Sequence, residues 1–89
     1  MHEPKNKPKL HEFHADFGTL KPEKAKTPVQ GGGKLRPRRE NEKGEIFEWD
    51  FKKGTLEKYS KNGKVHLGEW DYKTGKEVGK AVKGRRIKK

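Results

Sequence analysis

Residues 45–57 read Glu-Ile-Phe-Glu-Trp-Asp-Phe-Lys-Lys-Gly-Thr-Leu-Glu, and this stretch decides the fold. Apolar and charged residues alternate as far as Asp50, a polar Lys-Lys-Gly segment follows, and a second alternating run starts at Thr55. Alternation with a period of two on both sides of a short polar turn is typical of a β-hairpin. Because side chains alternate between the faces of a strand, Asp50 and Glu57 are predicted to meet on one face, with lysines beside them.

These two carboxylates allow two interpretations. Acids held among cations on a rigid sheet could position a base for chemistry on an anionic substrate. They could also belong to a solvated salt-bridge face that has no chemical role. The hairpin taken alone favours the second interpretation, so the choice between the two depends on residues outside it.

The composition points to a small core and a polyanionic partner. The chain has 89 residues, 42% of them charged, and a formal net charge of +11. Leu, Ile, Val and Phe number only 15, which at this charge lies near the compositional border of disorder. The apolar residues are concentrated between Glu45 and Gly79, so the core is predicted there. A pI near 10.0 indicates a polyanion, most commonly nucleic acid, although charge alone does not choose among RNA, DNA and acidic protein.

Several classes of protein are disfavoured by what the sequence lacks. No run approaches the roughly 18 apolar residues of a membrane-spanning helix, and no signal-peptide core follows Met1. We therefore expect a soluble chain with no export signal of its own. Cysteine is absent, which excludes a disulfide framework and a thiolate zinc site, and neither a metal nor another cofactor is predicted.

The predicted organisation is a tail followed by one domain. Residues 1–9 alternate proline with lysine and asparagine, which predicts a disordered linker. Residues 10–89 are predicted to form a single domain, in which residues 10–44 supply a short helix and an extended basic segment. Residues 45–89 are predicted to form an antiparallel sheet.

Apolar spacing predicts the short helix, and cations dominate the segment after it. Leu10, Phe13 and Phe17 share a helical face that ends at Gly18. A helix this short has to dock on the sheet to persist. The basic segment, which contains a flexible glycine elbow at residues 31–33, ends in cations that a phosphate backbone would bind without sequence preference.

The second half of the chain reads as a meander of strands. Asn62-Gly63 is a type I′ hairpin signal, since both central positions of that turn need φ > 0. The pattern Trp-Asp-aromatic-Lys-x-Gly occurs twice, starting at Trp49 and at Trp70. The second copy has no glutamate equivalent to Glu57, so Asp71 is interpreted as a turn residue only. Residues 82–89 are predicted to form a closing strand whose arginines reach the face of Glu57.

Together these residues resemble the cytotoxic C-terminal domain of the ribosome-inactivating colicins and related bacterial competition toxins. The resemblance covers about residues 18–89 and is carried by the following matches: Leu20-Lys21-Pro22, Lys26-Thr27-Pro28, Gln30 with Gly31-Gly32-Gly33-Lys34, Glu48-Trp49-Asp50, Gly54, Leu56-Glu57, Tyr59, His66-Leu67-Gly68, Asp71, Lys73-Thr74-Gly75, Arg85 and Ile87-Lys88-Lys89.

The resemblance implies a fold and an activity. The fold is mainly β (α+β), with a short N-terminal helix packed on a strongly twisted antiparallel sheet. The activity is metal-free cleavage of one phosphodiester in the decoding site of 16S ribosomal RNA. Such a domain ends a longer secreted toxin, and an acidic immunity protein protects the producer.

Carried over by position, the resemblance also implies site residues. Asp50 matches the active-site aspartate, Glu57 the general base and Arg85 the arginine that stabilises the transition state. The family's catalytic histidine falls at Lys53, which could protonate the leaving oxygen or only neutralise the phosphate. His66 matches a family histidine too, and its apolar sequence neighbours favour a packing role. Cations predicted to contact RNA are Lys34, Arg36, Arg38, Arg39, Lys52, Lys58, Arg86 and Lys88.

The resulting hypothesis is a toxin ribonuclease domain that acts in the cytoplasm of a target cell. Attack by the 2′-OH would leave a 2′,3′-cyclic phosphate. The competing hypothesis is a basic RNA-binding module without catalysis. In that module Asp50 and Glu57 would be members of salt bridges, and Trp49 or Trp70 would stack on bases.

Overall fold

A single antiparallel sheet forms the body of the molecule. The computed structural model describes residues 8–9, 12–29 and 32–89. In this part of the chain the sheet has six strands, and their order in the sheet is their order in the sequence. The predicted antiparallel meander is confirmed. The strands are β1 (Lys21–Glu23), β2 (Arg38–Glu40), β3 (Ile46–Asp50), β4 (Thr55–Tyr59), β5 (His66–Trp70) and β6 (Glu77–Gly79).

The β3–β4 hairpin has the predicted position and the predicted facing. Glu48 lies opposite Glu57, and Asp50 lies opposite Thr55. The alternation of each strand therefore gives the sheet an apolar face and a polar face. Both faces are covered, since all five residues of β3 are buried.

The core lies on the apolar face. Phe47, Trp49 and Leu56 come from the predicted region, but Phe17 and Leu20 reach the core from the N-terminal half. Phe17 meets Phe47 edge-on at 5.6 Å between ring centroids. Full burial of such a side chain stabilises the fold by about 1.5–3 kcal/mol, so these two residues fix the N-terminal segment to the sheet.

The predicted N-terminal helix over residues 10–17 is not confirmed. The described part of that segment holds a short 3₁₀ turn, Ala15–Phe17, and Leu10 lies outside the described residues. The N–H of His14 donates to the carbonyl of Tyr72 at 2.7 Å, so the segment is bonded to the loop after β5 rather than to itself. No helix in the described ranges has the length and apolar character needed to cross a membrane.

The predicted extended basic segment is not confirmed either, because part of it forms β1 and β2 of the sheet. Each of these strands has only three residues, and β1 pairs with β2 from Lys21 opposite Glu40 to Glu23 opposite Arg38. Residues 1–7 of the predicted linker, and Gly31 of the predicted glycine elbow, lie outside the described residues.

Two further predictions about the second half need correction. The hairpin at Asn62-Gly63 is present, but its turn is not type I′, because Gly63 has positive φ (75°) and Asn62 does not. Asn62 Oδ1 instead accepts the N–H of Lys64 at 2.9 Å, which holds the turn through a side chain. Residues 80–89 form no strand, although the N–H of Ile87 donates to the carbonyl of Gly63 at 2.8 Å.

Candidate active site

The polar face of the sheet is buried rather than solvated. Glu48 is 0% exposed, Glu57 1% and Asp50 6%, and Arg38 and His66 are buried with them. Burying an unpaired charge costs several kcal/mol, so carboxylates persist here only with close partners. The interpretation of a solvated salt-bridge face does not hold for this sheet.

Glu57 accepts two hydrogen bonds on one oxygen. His66 Nε2 lies 2.7 Å from Glu57 Oε1, and Arg85 Nη1 donates to the same oxygen at 3.2 Å. His66 Nδ1 accepts the N–H of Val82 at 2.8 Å, so in the neutral ring the proton is on Nε2 and points at Glu57. The carboxylate is thereby held in one orientation. Arg85 keeps 40% of its side chain exposed, which leaves its guanidinium accessible from the solvent side.

His66 therefore does more than pack, and sequence reasoning missed its contact with Glu57. Its neighbours in sequence, Val65 and Leu67, suggested an apolar setting. A β-bulge at Lys58–Tyr59 shifts the register between β4 and β5, and it sets Tyr59 opposite His66. No local pattern in the sequence indicated that shift.

Asp50 ends β3 and holds the turn that follows. Its Oδ1 accepts the N–H groups of Lys52 and Lys53 at 2.9 and 3.0 Å. Its Oδ2 lies 3.7 Å from Arg36 Nη2. Asp50 thus combines a turn with a cationic partner on the buried face.

The second copy of the Trp-Asp pattern builds the same turn. Asp71 Oδ1 accepts the N–H groups of Lys73 and Thr74 at 2.8 and 3.3 Å. The N–H of Gly75 donates to the carbonyl of Asp71, as the N–H of Gly54 donates to that of Asp50. In the part of the chain that is described, Asp71 has no ion pair, so the repeated pattern explains the turns and Arg36 distinguishes Asp50.

The site contains a third carboxylate, that of Glu69, which the sequence did not indicate. Glu69 lies opposite Glu57 in the β4–β5 pairing. Asp50, Glu57 and Glu69 each offer an oxygen, and these oxygens lie within 4.8 Å of one another. Glu69 Oε2 accepts from Thr55 Oγ1 at 2.6 Å and lies 3.5 Å from Lys53 Nζ. Oxygen donors of this kind suit a hard divalent cation, and here an ammonium is beside them.

Arg38 is not the surface cation that the sequence predicted. Its Nε and Nη2 donate to Glu48 Oε2 at 3.0 and 2.7 Å, and only 3% of its side chain is exposed. Thr27 Oγ1 donates to the same oxygen at 2.6 Å. Glu48 Oε1 is buried without a hydrogen-bond partner among the described residues. Arg38 thus neutralises a buried acid, and its guanidinium is not presented to RNA.

Tyr59 completes the buried face. Its ring meets the His66 ring at 5.1 Å between centroids. Burial, followed by the negative charges of Glu48 and Glu57, raises the pKa of Tyr59 to about 12. Its hydroxyl therefore stays neutral next to the two carboxylates.

The other predicted RNA contacts differ in their exposure. Four of these cations, Lys34, Lys52, Arg86 and Lys88, are exposed, and Arg36 and Arg39 are partly buried.

Lys58 lies on the apolar face, opposite Phe47. Its Nζ is 3.4 Å from Glu45 Oε1 and 4.8 Å from the Trp70 ring centroid. The Asn41 amide, aided by Lys58, holds the pKa of Glu45 below its usual value. Lys58 therefore lies on the opposite face of the sheet from Glu57, and it is not one of the lysines beside Asp50 and Glu57.

The two tryptophans are structural in the described fold. Trp49 belongs to the buried core and is 3% exposed, and Trp70 packs against that core. Base stacking on Trp49 would require the core to open.

The fold and this face define a class: a small antiparallel sheet that buries a hydrogen-bonded cluster of acids and bases on one side of a strongly basic chain. The chain belongs to the cytotoxic domain family of the colicins, because the family model described as Cytotoxic matches residues 5–88. This confirms the resemblance read from the sequence.

Individual relatives agree with this assignment. Colicin-E6 of Escherichia coli is 39% identical and colicin E3 of Escherichia coli 38% identical, each over 100% of this chain and 19% of the relative. Cloacin of Escherichia coli is 40% identical over 82% of this chain and 13% of its own length. The chain therefore spans less than a fifth of the length of these relatives.

Proposed function

We propose that this chain is the ribonuclease domain of a bacterial toxin, and that it cleaves 16S ribosomal RNA in the decoding site. The observation that carries the proposal is the state of Glu57, a buried carboxylate held by His66 and Arg85 in a chain of net charge +11. Membership of the cytotoxic family supports it.

Glu57 is the general base of the proposed reaction. It takes the proton of a ribose 2′-OH, and the 2′ oxygen forms a bond to the adjacent phosphorus. The bond from phosphorus to the 5′ oxygen breaks, leaving a 2′,3′-cyclic phosphate and a 5′-OH. This route needs the 2′-OH, which makes RNA rather than DNA the substrate.

Cations around Glu57 serve the phosphate. Arg85 touches Glu57 and is partly exposed, so its guanidinium can move to the phosphoryl oxygens as negative charge develops there. Asp50 orients Arg36 and fixes the turn that carries Lys53. Lys53 adds positive charge, and the 5′ oxygen receives its proton from this ammonium or from water. The chain supplies the base and the electrostatic stabilisation without a metal in this proposal.

The competing proposal, an RNA-binding module without catalysis, has less support. Its salt-bridge acids would be exposed, whereas Glu57 is buried and hydrogen-bonded to a histidine. Of its two stacking residues, Trp49 is in the core and Trp70 is partly buried against it.

The partners follow from the same proposal. The chain is the cytotoxic part of a longer toxin that is secreted by its producer and acts in the cytoplasm of a target cell. Its relatives are five or more times longer, which supports this arrangement. An acidic immunity protein would cover the basic surface in the producer, because complementary fields give fast association.

Incubation of the domain with intact ribosomes tests the proposal. We expect one cut in the small-subunit RNA, and a rate about 10²- to 10⁴-fold lower for Glu57→Gln, because the base is lost while the basic surface remains. Glu77→Gln, which removes one exposed negative charge outside the cluster, is the matched control and should cleave like the unsubstituted domain. Intact RNA, or equal cleavage by Glu57→Gln, would contradict the proposal.

A further inference from the structure

We infer that Glu69 is a positioning residue for Lys53, holding its ammonium in the cluster of Asp50, Glu57 and Glu69. The inference rests on the proposed ribonuclease function and adds to it a residue that the sequence comparison did not supply.

Each carboxylate of the cluster has a cation of its own. Asp50 faces Arg36 at 3.7 Å, Glu57 binds Arg85 at 3.2 Å, and Glu69 faces Lys53 at 3.5 Å. Arg36 and Arg85 are planar guanidinium groups, whereas Lys53 is a flexible chain at a turn with 54% of its side chain exposed. Within the described ranges, Glu69 is the partner of its ammonium.

Glu69 is itself fixed, which a positioning residue has to be. Thr55 Oγ1 donates to the same oxygen that faces Lys53, at 2.6 Å. Glu69 lies on β5, which pairs with strands on both sides. Fixing a mobile lysine side chain costs up to about 2 kcal/mol of conformational entropy. A carboxylate that is itself held on paired strands can offset part of this cost by attracting the ammonium.

The neighbouring strand leaves room for this carboxylate. Gly79 of β6 lies opposite Glu69, and a Cβ at Gly79 would lie 2.5 Å from Glu69 Oε1 and 2.9 Å from Glu69 Cβ. Any side chain at position 79 would push Glu69 away from its present place. The missing side chain at Gly79 is thus part of the arrangement that presents Glu69 to Lys53.

A double-mutant cycle on ribosome cleavage tests the inference. Glu69→Gln keeps the size of the side chain and removes the charge that attracts Lys53. We expect kcat to fall about tenfold with KM nearly unchanged, because the ammonium is then misplaced in the transition state. In a Lys53→Met background, Glu69→Gln should cause no further loss. Gly79→Ala should lower kcat in the same way, and Glu77→Gln should not.

The outcomes separate the inference from the proposed function. Cleavage by the unsubstituted domain, with full activity in Glu69→Gln or with losses that multiply in the double variant, would overturn the inference alone. Intact RNA after incubation with the unsubstituted domain would overturn the proposed function and this inference with it. Thermal unfolding checks that each variant is folded. A melting temperature that Mn²⁺ raises in the unsubstituted domain but not in Glu69→Gln would also overturn the inference, since a metal would then be the cation of the cluster.

Discussion

Lys53 lies where the resemblance places the catalytic histidine of the family, and the structure shows the surroundings of this lysine. Its ammonium is exposed at the end of a turn and faces one carboxylate. We predict that Lys53→Arg keeps most of the cleavage rate, because arginine retains the cation. Lys53→Met should lose more, since no charge then faces the phosphate. Single-turnover cleavage of ribosomes measures both.

If Lys53 is instead the proton donor, the opposite result is expected for Lys53→Arg. Arginine does not give up a proton near neutrality, so a general acid at position 53 would not survive the change. A Lys53→Arg domain that is as slow as Lys53→Met, with ribosome binding retained, would identify Lys53 as the donor. The loss would then be on the order of the 10²- to 10⁴-fold typical of acid–base residues.

Tyr59 gives the fold a dependence on alkaline pH. Its pKa is raised from 10.0 to about 12 by burial and by the neighbouring carboxylates. The folded state therefore keeps a proton that the unfolded state loses, so stability is full below pH 10 and falls as the pH rises towards 12. The resulting loss in the free energy of unfolding is on the order of 3 kcal/mol. Urea unfolding at several alkaline pH values should show a shallower loss for Tyr59→Phe, and equal losses in both proteins would contradict the assignment.

The residue types of the site could be predicted more readily than their partners. Asp50 and Glu57 follow from the alternation of one hairpin, because their shared face depends only on local spacing. Glu69 and His66 could not be placed beside Glu57, because that depends on the bulged register between β4 and β5. The sequence did not distinguish Arg38 from a surface arginine, because its contact with Glu48 depends on the pairing of β2 with β3.

At the scale of elements, the two Trp-Asp turns offer a matched pair of substitutions. Asparagine at position 50 or 71 keeps an oxygen that can accept the two backbone N–H groups, so both turns should survive. Asp50→Asn removes the charge that faces Arg36, and we expect cleavage to fall about 10- to 100-fold. Asp71→Asn should leave the cleavage rate close to that of the unsubstituted domain. Equal losses at the two positions would show that the turns, rather than the charge at Asp50, set the rate.

Strands with a clear sequence signal were predicted. The three-residue strands and the N-terminal segment, which is fixed by long-range contacts, were not. The alternating runs of β3 and β4 are a signal that sequence can carry, and β5 was placed by the hairpin signal at Asn62-Gly63 and the second Trp-Asp pattern. β1 and β2 have three residues each and contain proline or arginines, so no pattern distinguishes them from an extended segment. The N-terminal residues have helical spacing, but the bond from His14 to Tyr72 and the packing of Phe17 override it.

At the scale of the whole molecule, charge should control the affinity for RNA. The sequence has 24 Lys and Arg against 13 Asp and Glu, and several acids are already paired inside the fold. If about six phosphates are neutralised, association should weaken about 10³-fold between 50 and 200 mM salt. Binding of the Glu57→Gln domain to ribosomes measures this without cleavage. A flat salt dependence would indicate an apolar or base-specific interface.

The strand order has a mechanical consequence. In the described residues each strand pairs with the strands next to it in the chain, so none of these six strands lies between two that are distant in sequence. The ladders can therefore separate one at a time, starting from β1 or β6 at an edge of the sheet. Each ladder joins strands that are adjacent in the sequence, so the strand pairing itself is comparatively local. Refolding after such opening has to restore the contact of Val82 with His66 and that of Arg85 with Glu57 before the surroundings of Glu57 are complete.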